Sequence, residues 1–222
     1  VYSIPIFLII SHSIADFIFV FVGISFLIFL SINKLDPITQ KIFKDKVIIS
    51  FFLFYIFLLL SSIFSEFFVL SIKRSLPYLR FIIFIIALKY WLLTDKKSLK
   101  ILYLSISSCL IFVCFDVLFQ FYNYHEIINH SGKVIRQGFD IFGYASNPVI
   151  ERFQGPFKDE YIAGGYILKL SPFLFLTILS TKIIKKKNIL VFIFVTLIIY
   201  SIYITGDRSP FFILLQISLI IP

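Results

Sequence analysis

Long apolar runs recur along the whole chain of 222 residues, and they limit its fold more than any other feature. Two runs that are long enough to cross a membrane, residues 47–65 and 188–205, contain no charged residue. A hydrocarbon core about 30 Å thick is crossed by about 20 apolar residues in a helix. The predicted fold is therefore an all-α, polytopic transmembrane helical bundle with about seven spans. The candidate spans are 14–32, 47–65, 76–93, 101–122, 162–180, 188–205 and 210 onward.

The composition agrees with this fold. The chain is 59% hydrophobic and 15% charged, whereas soluble domains are roughly 45–50% apolar and about 25% charged. A soluble enzyme, a disordered tail and a disulfide-rich secreted module are thereby excluded. We predict a single integral membrane domain over residues 1–222, with 123–160 as its largest loop. The sequence has no Met and stops within an apolar run, so we expect it to be a fragment of a longer protein.

Lysine clusters predict the orientation of the chain. The loops 33–46, 94–100 and 181–187 hold most of the lysines, and they alternate along the predicted topology. Lysine and arginine accumulate in cytoplasmic loops, so these three loops are predicted to be cytoplasmic. The loop 123–160 is then extracytoplasmic. Together with Lys89, these clusters account for the net charge of +9, and binding to nucleic acid is not predicted.

Arginine is confined to the opposite side. The five arginines all fall in or near the predicted outer loops: Arg74, Arg80, Arg136, Arg152 and Arg208. A guanidinium group matches phosphate oxygens with two parallel hydrogen bonds, which a lysine cannot do. The set therefore indicates a phosphate-bearing ligand. The alternative is that single arginines pair with loop acids such as Glu151 and Asp159.

Several polar side chains lie inside predicted spans, where an ionisable residue is a candidate functional group. Lys169 is about two turns into its span, and Arg80 is near the outer end of another. Asp116 and Gln120 share one face of a helix because they are four residues apart. The alternative is structural, with Asp116 paired to Lys169 or Arg80.

The outer loop 123–160 mixes aromatic side chains with hydrogen-bonding ones. That mixture suits sugar rings, although an aromatic belt at the membrane interface explains it equally well. Asp159 and Glu160 precede a predicted span, where acids are favoured by the helix dipole. The chain has no phosphate-binding glycine loop and no Cys or His set with metal-binding spacing, so no cofactor and no metal is predicted.

Several motifs, in order, resemble the O-antigen ligase and O-antigen polymerase superfamily. RFQGPFKDEYIAGG at 152–165 is similar to that family's R-x-x-G-x-F segment, which leads from an outer loop into a span. TGDRS at 205–209 resembles its T-G-x-R-S turn. SEFF at 65–68, LRF at 79–81, FDVLFQF at 115–121 and FDIFG at 139–143 also fit the family. The resemblance extends from about residue 47 to residue 215.

The resemblance implies a membrane glycosyltransferase of surface polysaccharide assembly in the bacterial inner membrane, with a periplasmic active face. Its donor would be an oligosaccharide on undecaprenyl pyrophosphate, and its acceptor a polysaccharide or the lipid A core. Arg152 and Arg208 would be catalytic and would stabilise the leaving diphosphate. The predicted substrate-binding residues are Arg80, Asp116, Gln120, Asp159, Glu160 and Lys169. Family members need no nucleotide.

The chain departs from the family in one respect. The family carries a further, larger outer loop with additional catalytic residues that include a His, whereas the turn at 206–209 is short. The resemblance therefore assigns no general base, and the fragment alone is expected to be inactive.

Two other functions stay open. One is a transporter or flippase for a lipid-linked or anionic solute, and the other is a structural membrane subunit. The enzyme hypothesis requires Arg152 and Arg208 to meet at one cavity.

Overall fold

The computed structural model describes residues 2–32, 36–128, 134–146, 152–158, 160–180 and 187–220. Helices dominate these residues, and a two-stranded antiparallel hairpin is the regular β-structure among them. The strands are β1 (His125–Ile128) and β2 (Val134–Gln137). The α-helices are α1 (Ile4–Ile10), α2 (His12–Ile32), α3 (Asp36–Lys44), α4 (Lys46–Ile63), α5 (Phe68–Ser75), α6 (Leu79–Ala87), α7 (Lys96–Tyr122), α8 (Ala163–Ser180), α9 (Lys187–Thr205) and α10 (Arg208–Ile220).

Within the described residues, four helices are long and apolar enough to cross a membrane. They are Ser13–Ile32, Lys46–Ile63, Lys96–Tyr122 and Asn188–Thr205. They coincide with four of the predicted spans, so the all-α prediction is confirmed and the chain has the helices of a membrane protein. The structure does not confirm the predicted number of about seven spans.

The predicted span 76–93 is not one continuous α-helix. Pro77 lies in a 3₁₀ turn over Leu76–Tyr78, α6 follows, and Leu88–Leu92 is a π-helix. Proline has no backbone N–H to continue an α-helical ladder, and a π-turn shifts the register of the helix. The other two predicted spans, 162–180 and 210 onward, correspond to the shorter apolar helix Ala163–Ile178 and to α10.

The chain forms two compact units, of which the first comprises Ser11–Leu99. In this unit α2 packs against α6, and the side chain of Phe19 meets Phe84 edge to face with ring centres 4.7 Å apart. Asp45 caps the start of α4 by accepting a hydrogen bond from the Val47 N–H at 3.1 Å. The same carboxylate pairs with Lys89 and accepts from the Tyr90 hydroxyl at 2.8 Å. Asp45 therefore joins α4 to the π-helical segment.

The second unit comprises Tyr2–Ile10 and the chain from Lys100 onward. Its core is formed by the buried apolar faces of α7, α8 and α9, together with the loop residues Phe153 and Phe157. The Ser105 hydroxyl donates to the Tyr2 carbonyl at 2.5 Å, and the Tyr166 hydroxyl to the Pro5 carbonyl at 3.4 Å. These bonds hold the N-terminal segment in this unit. The prediction of one membrane domain over 1–222 stays a prediction.

Pro172 lies inside α8 and removes one backbone donor from it. In a regular α-helix, the N–H of residue 172 would bond to the Leu168 carbonyl. The Ser171 hydroxyl instead donates to that carbonyl at 2.8 Å. Serine side chains commonly satisfy the backbone groups that a proline frees in apolar surroundings. The helix is thus preserved across Pro172.

Candidate functional site

A cavity of about 630 Å³ lies in the second unit, where α8 begins, α9 ends and α10 begins. We call it the basic cavity because three cationic side chains and one carboxylate line it. The cations are Arg152, Lys169 and Arg208, and the carboxylate is Asp207. Tyr161 and Tyr166 also line it. Arg152 and Arg208 therefore meet at one cavity, as the enzyme hypothesis requires, although their roles stay predictions.

Arg152 is positioned by the buried segment that follows it. The Phe153 ring is buried and lies edge to face against Phe121 and Tyr124, with ring centres 5.2 and 5.5 Å apart. Phe157 is also buried and packs against Tyr166, which lines the cavity. These aromatic contacts fix the backbone on both sides of a tight turn. The side chain of Arg152 is thereby held beside the basic cavity.

Gly155 allows this segment to lie directly on α7. Its φ of +56° falls in the left-handed region, and a Cβ there would be 2.9 Å from the Val117 Cγ2. Any other residue would meet both a backbone penalty and a steric clash. Gln120 holds the same turn, because its Oε1 accepts from the Gly155 N–H at 3.0 Å. The glycine of the R-x-x-G-x-F segment thus has a structural reason in this chain.

The turn between α9 and α10 supplies the opposite wall. The Thr205 hydroxyl donates to the Ile202 carbonyl at 2.8 Å, at the end of α9. Gly206 has a φ of +70°, which ends the helix as glycine commonly does after a last turn. Asp207 follows, and Arg208 begins α10. The sequence TGDR therefore terminates one helix and starts the next within four residues.

Asp207 connects this turn to α8 and to Arg152. Its Oδ2 accepts from the Gly164 N–H at 3.0 Å, and its Oδ1 lies 3.9 Å from the Arg152 Nη1. The Asp207 side chain is only 10% exposed, compared with 32% for Arg152. Burial raises the pKa of the Asp207 carboxyl, while the Gly164 N–H and the positive charge of Arg152 act to lower it. Asp207 is thus an anchored carboxylate within a cationic site.

The other two cations are exposed side chains without a carboxylate partner among the described residues. Lys169 projects from α8 and Arg208 from the first position of α10. The first turns of α8 and α10 both open at the cavity, and helix N-termini carry partial positive charge. Arg152 also lies over the ring of Tyr161, with its Cζ 5.2 Å from the ring centre. The cavity therefore carries excess positive charge and favours an anionic ligand.

Asp116 and Gln120 have structural contacts to the chain itself. Both are fully buried, and the Asp116 Oδ1 accepts from the Ile141 N–H at 2.8 Å. The Gln120 Nε2 donates to the Tyr144 carbonyl at 3.1 Å, in addition to its bond with Gly155. These bonds hold the loop over 138–146 and the turn at 155–157 against α7. Asp116 forms no ion pair with Lys169, and its predicted role in substrate binding stays a prediction.

The remaining predicted residues are placed elsewhere. Arg80 belongs to the first unit, where its Nη2 pairs with the Asp16 Oδ2 at 2.9 Å. Glu160 is exposed, and its N–H donates to the Phe157 carbonyl at 3.1 Å. Asp159 lies outside the described residues. Among the residues that the structure describes, no group of three or more His, Cys, Asp or Glu side chains could hold a metal ion.

Sequence reasoning missed Asp207 as a site residue. Within the TGDRS motif, a role was predicted for Arg208 and none for the acid before it. Two glycines in the sequence could have pointed to Asp207. Gly164 allows α8 to approach the turn closely, and Gly206 has the positive φ at which the chain reverses direction. A Cβ on Gly164 would lie 2.7 Å from the Asp207 Oδ2, which shows how closely the two segments approach.

A scan of protein-family models, a search of curated proteins and a search of solved structures each find no match to this chain. The resemblance to O-antigen ligases and polymerases is therefore carried only by the motifs quoted above.

Proposed function

We propose that the protein is a membrane glycosyltransferase of surface polysaccharide assembly, of the O-antigen polymerase or ligase type. The donor is an oligosaccharide on undecaprenyl pyrophosphate, and the acceptor is a polysaccharide or the lipid A core. The protein would lie in the bacterial inner membrane with about seven spans. The lysine-rich loops would face the cytoplasm, and the basic cavity would face the periplasm.

One observation carries the proposal. Arg152, Lys169 and Arg208 come from three separate segments of the chain and line one cavity. Two helix N-termini open at the same place, so the N–H groups and the side chains present positive charge together. A diphosphate is the ligand that best matches several cations, two of which are guanidinium groups. The apolar surroundings of α8, α9 and α10 suit the lipid that carries the diphosphate.

The proposed chemistry is transfer of a glycosyl group. The acceptor hydroxyl attacks the anomeric carbon, the bond from that carbon to the diphosphate oxygen breaks, and the lipid diphosphate leaves while the hydroxyl proton passes to solvent. Negative charge grows on the diphosphate as the bond breaks, and Arg152 and Arg208 would stabilise it. Removing one such preorganised donor typically lowers kcat by about 10²–10³-fold. Lys169 adds a third positive charge at the same cavity.

Arginine variants in the bacterium that carries the gene test this proposal. We would replace Arg152 and Arg208 singly by Ala, verify the amount of protein in the membrane, and separate the surface polysaccharide on a gel. Arg136→Ala is the matched control, because Arg136 lies on the hairpin, exposed and paired with Glu126. We expect loss of polysaccharide in the two cavity variants and a normal pattern in the control.

The pattern distinguishes the possible activities. Loss of the ladder of long polysaccharide bands, while single repeat units remain attached to the lipid A core, indicates a polymerase. Loss of all repeat units from the lipid A core indicates a ligase. Lipid-linked units that accumulate on the cytoplasmic side would support the flippase hypothesis instead. A normal pattern in both cavity variants would refute the catalytic assignment.

A further inference from the structure

Asp207 is the one carboxylate among the described residues that line the basic cavity, and it lies close to Arg152. Its Oδ1 is 3.9 Å from the Arg152 Nη1, and it lines the cavity together with Lys169 and Arg208. A carboxylate in this position opposes any anionic ligand. Its presence in a site for anions therefore needs a reason beyond the binding of the ligand.

The backbone holds Asp207 in this position firmly. The Gly164 N–H donates to its Oδ2, and a Cβ at Gly164 would lie 2.8 Å from the Asp207 Cβ. The side chain is 10% exposed and cannot swing freely into solvent. Arg152 has more freedom, with 32% of its side chain exposed. When an anion binds, Arg152 can turn towards it while Asp207 stays in place.

The charges of the described lining residues match one form of a diphosphate better than another. Three cations and one carboxylate leave two excess positive charges. A diphosphate esterified at both ends carries two negative charges. A diphosphate esterified at one end carries about one additional negative charge near neutral pH, because the second ionisation of a terminal phosphate has a pKa of about 6. In the proposed reaction these are the donor and the leaving lipid diphosphate.

We propose that Asp207 is a specificity-determining residue, which lowers the affinity of the basic cavity for a lipid diphosphate relative to a diphosphate diester. This inference rests on the proposed function. Asp207 repels the more highly charged product more strongly than the donor, so it favours release of the product. It acts on the ligand by its charge and on Arg152 by its ion pair.

The test uses the full chain purified in detergent and two probes that differ by one charge. The probes are farnesyl diphosphate and its methyl ester on the terminal phosphate, and the dissociation constants are measured by calorimetry at pH 8. Asp207→Asn removes the charge and retains an oxygen that can accept from the Gly164 N–H. Glu126→Gln is the matched control, since it neutralises an exposed carboxylate on the hairpin.

The expected change follows from the one additional charge. At a separation of about 8 Å and an effective dielectric constant of about 20–40, Coulomb's law gives a factor of about 5–30. We expect Asp207→Asn to increase the preference for farnesyl diphosphate over its methyl ester about tenfold. Asp207→Glu should keep the wild-type preference, and so should Glu126→Gln. Asp207→Ser offers a second neutral side chain if the Asn variant does not fold.

Two failures can be told apart. If the wild-type protein binds neither probe, the diphosphate site of the proposed function is wrong, and this inference falls with it. If the wild-type protein binds both probes and neutral variants leave the preference unchanged, only the role of Asp207 is refuted. A purely structural role would alter both affinities by the same factor and would likewise refute it.

Discussion

The contact between Gly164 and Asp207 leads to a sharp prediction about stability. A Cβ at position 164 would lie 2.7 Å from the Asp207 Oδ2 and 2.8 Å from the Thr205 Oγ1. These distances are shorter than real Cβ contacts allow, and the atoms that it meets belong to an anchored turn. Gly165 is the matched control, because it is the next residue of α8 and a Cβ there has no neighbour within 4 Å.

The expected change in the free energy of unfolding of Gly164→Ala is the sum of three contributions. Replacing glycine by alanine in a compatible helical position stabilises a protein by about 0.4–1 kcal/mol, mainly through the unfolded state. Overpacking costs about 1–3 kcal/mol. A lost hydrogen bond to a charged acceptor costs about 1.5–3 kcal/mol if the turn moves away from the Gly164 N–H. Together these contributions predict that Gly164→Ala lowers the free energy of unfolding by about 1.5–5 kcal/mol, and that Gly165→Ala raises it by about 0.4–1 kcal/mol.

Thermal unfolding of the two variants in the same detergent checks the prediction. The two variants should therefore differ in free energy of unfolding by about 2–6 kcal/mol, which corresponds to about 5–25 °C in Tm for a chain of this size. Because both variants make the same chemical change in the same turn of α8, effects of helix propensity largely cancel. Equal Tm values for Gly164→Ala and Gly165→Ala would show that the close approach of α8 to the turn is not present in solution.

Two further predictions concern the loop that packs on α7. Gln120→Leu should lower the free energy of unfolding by about 2–4 kcal/mol, because the Tyr144 carbonyl and the Gly155 N–H lose their partner. If the Leu variant keeps its Tm and loses farnesyl diphosphate binding, Gln120 is a ligand contact and not a support of the loop. Burial raises the pKa of Asp140 above its ordinary value of 3.8, so the folded state binds this proton more tightly and its contribution to stability declines as pH rises above about 3.8. Asp140→Asn should therefore have a higher Tm than wild type at pH 7 and an equal Tm below pH 3.8, and a lower Tm at pH 7 would contradict this reasoning.

The helices of this chain were predictable where hydrophobicity alone determines them. The runs 47–65 and 188–205 became α4 and α9 within two residues of their predicted ends. The run 76–93 was also predicted to be a span, yet Pro77 and the π-helical turn at its end divide it. Hydropathy measures the transfer of side chains into lipid and is insensitive to the backbone hydrogen bonds that interrupt a helix.

Two of the cationic residues of the candidate site could be predicted from the sequence, whereas its carboxylate, Asp207, could not. Arg152 and Arg208 stood out because arginine is rare here and both belong to motifs with turn-forming glycines. Asp207 depends on a hydrogen bond from Gly164, which lies 43 residues earlier in the chain. The glycine at position 164 indicates a close approach, but a single sequence does not tell which segment approaches it. Asp116 was overlooked as a support of the loop for the same reason, because its acceptor role depends on the backbone of Ile141.

Pro172 divides α8 into a part that lines the basic cavity and a part that does not. Gly165, Tyr166 and Lys169 all lie before it, in the part with the freed Leu168 carbonyl at its end. The Ser171 hydroxyl satisfies the Leu168 carbonyl, and residues on both sides of Pro172 are buried in the same core: Ala163 and Ile167 before it, and Leu174 and Ile178 after it. The half of α8 that lines the basic cavity is therefore supported by the core, like the deeper half.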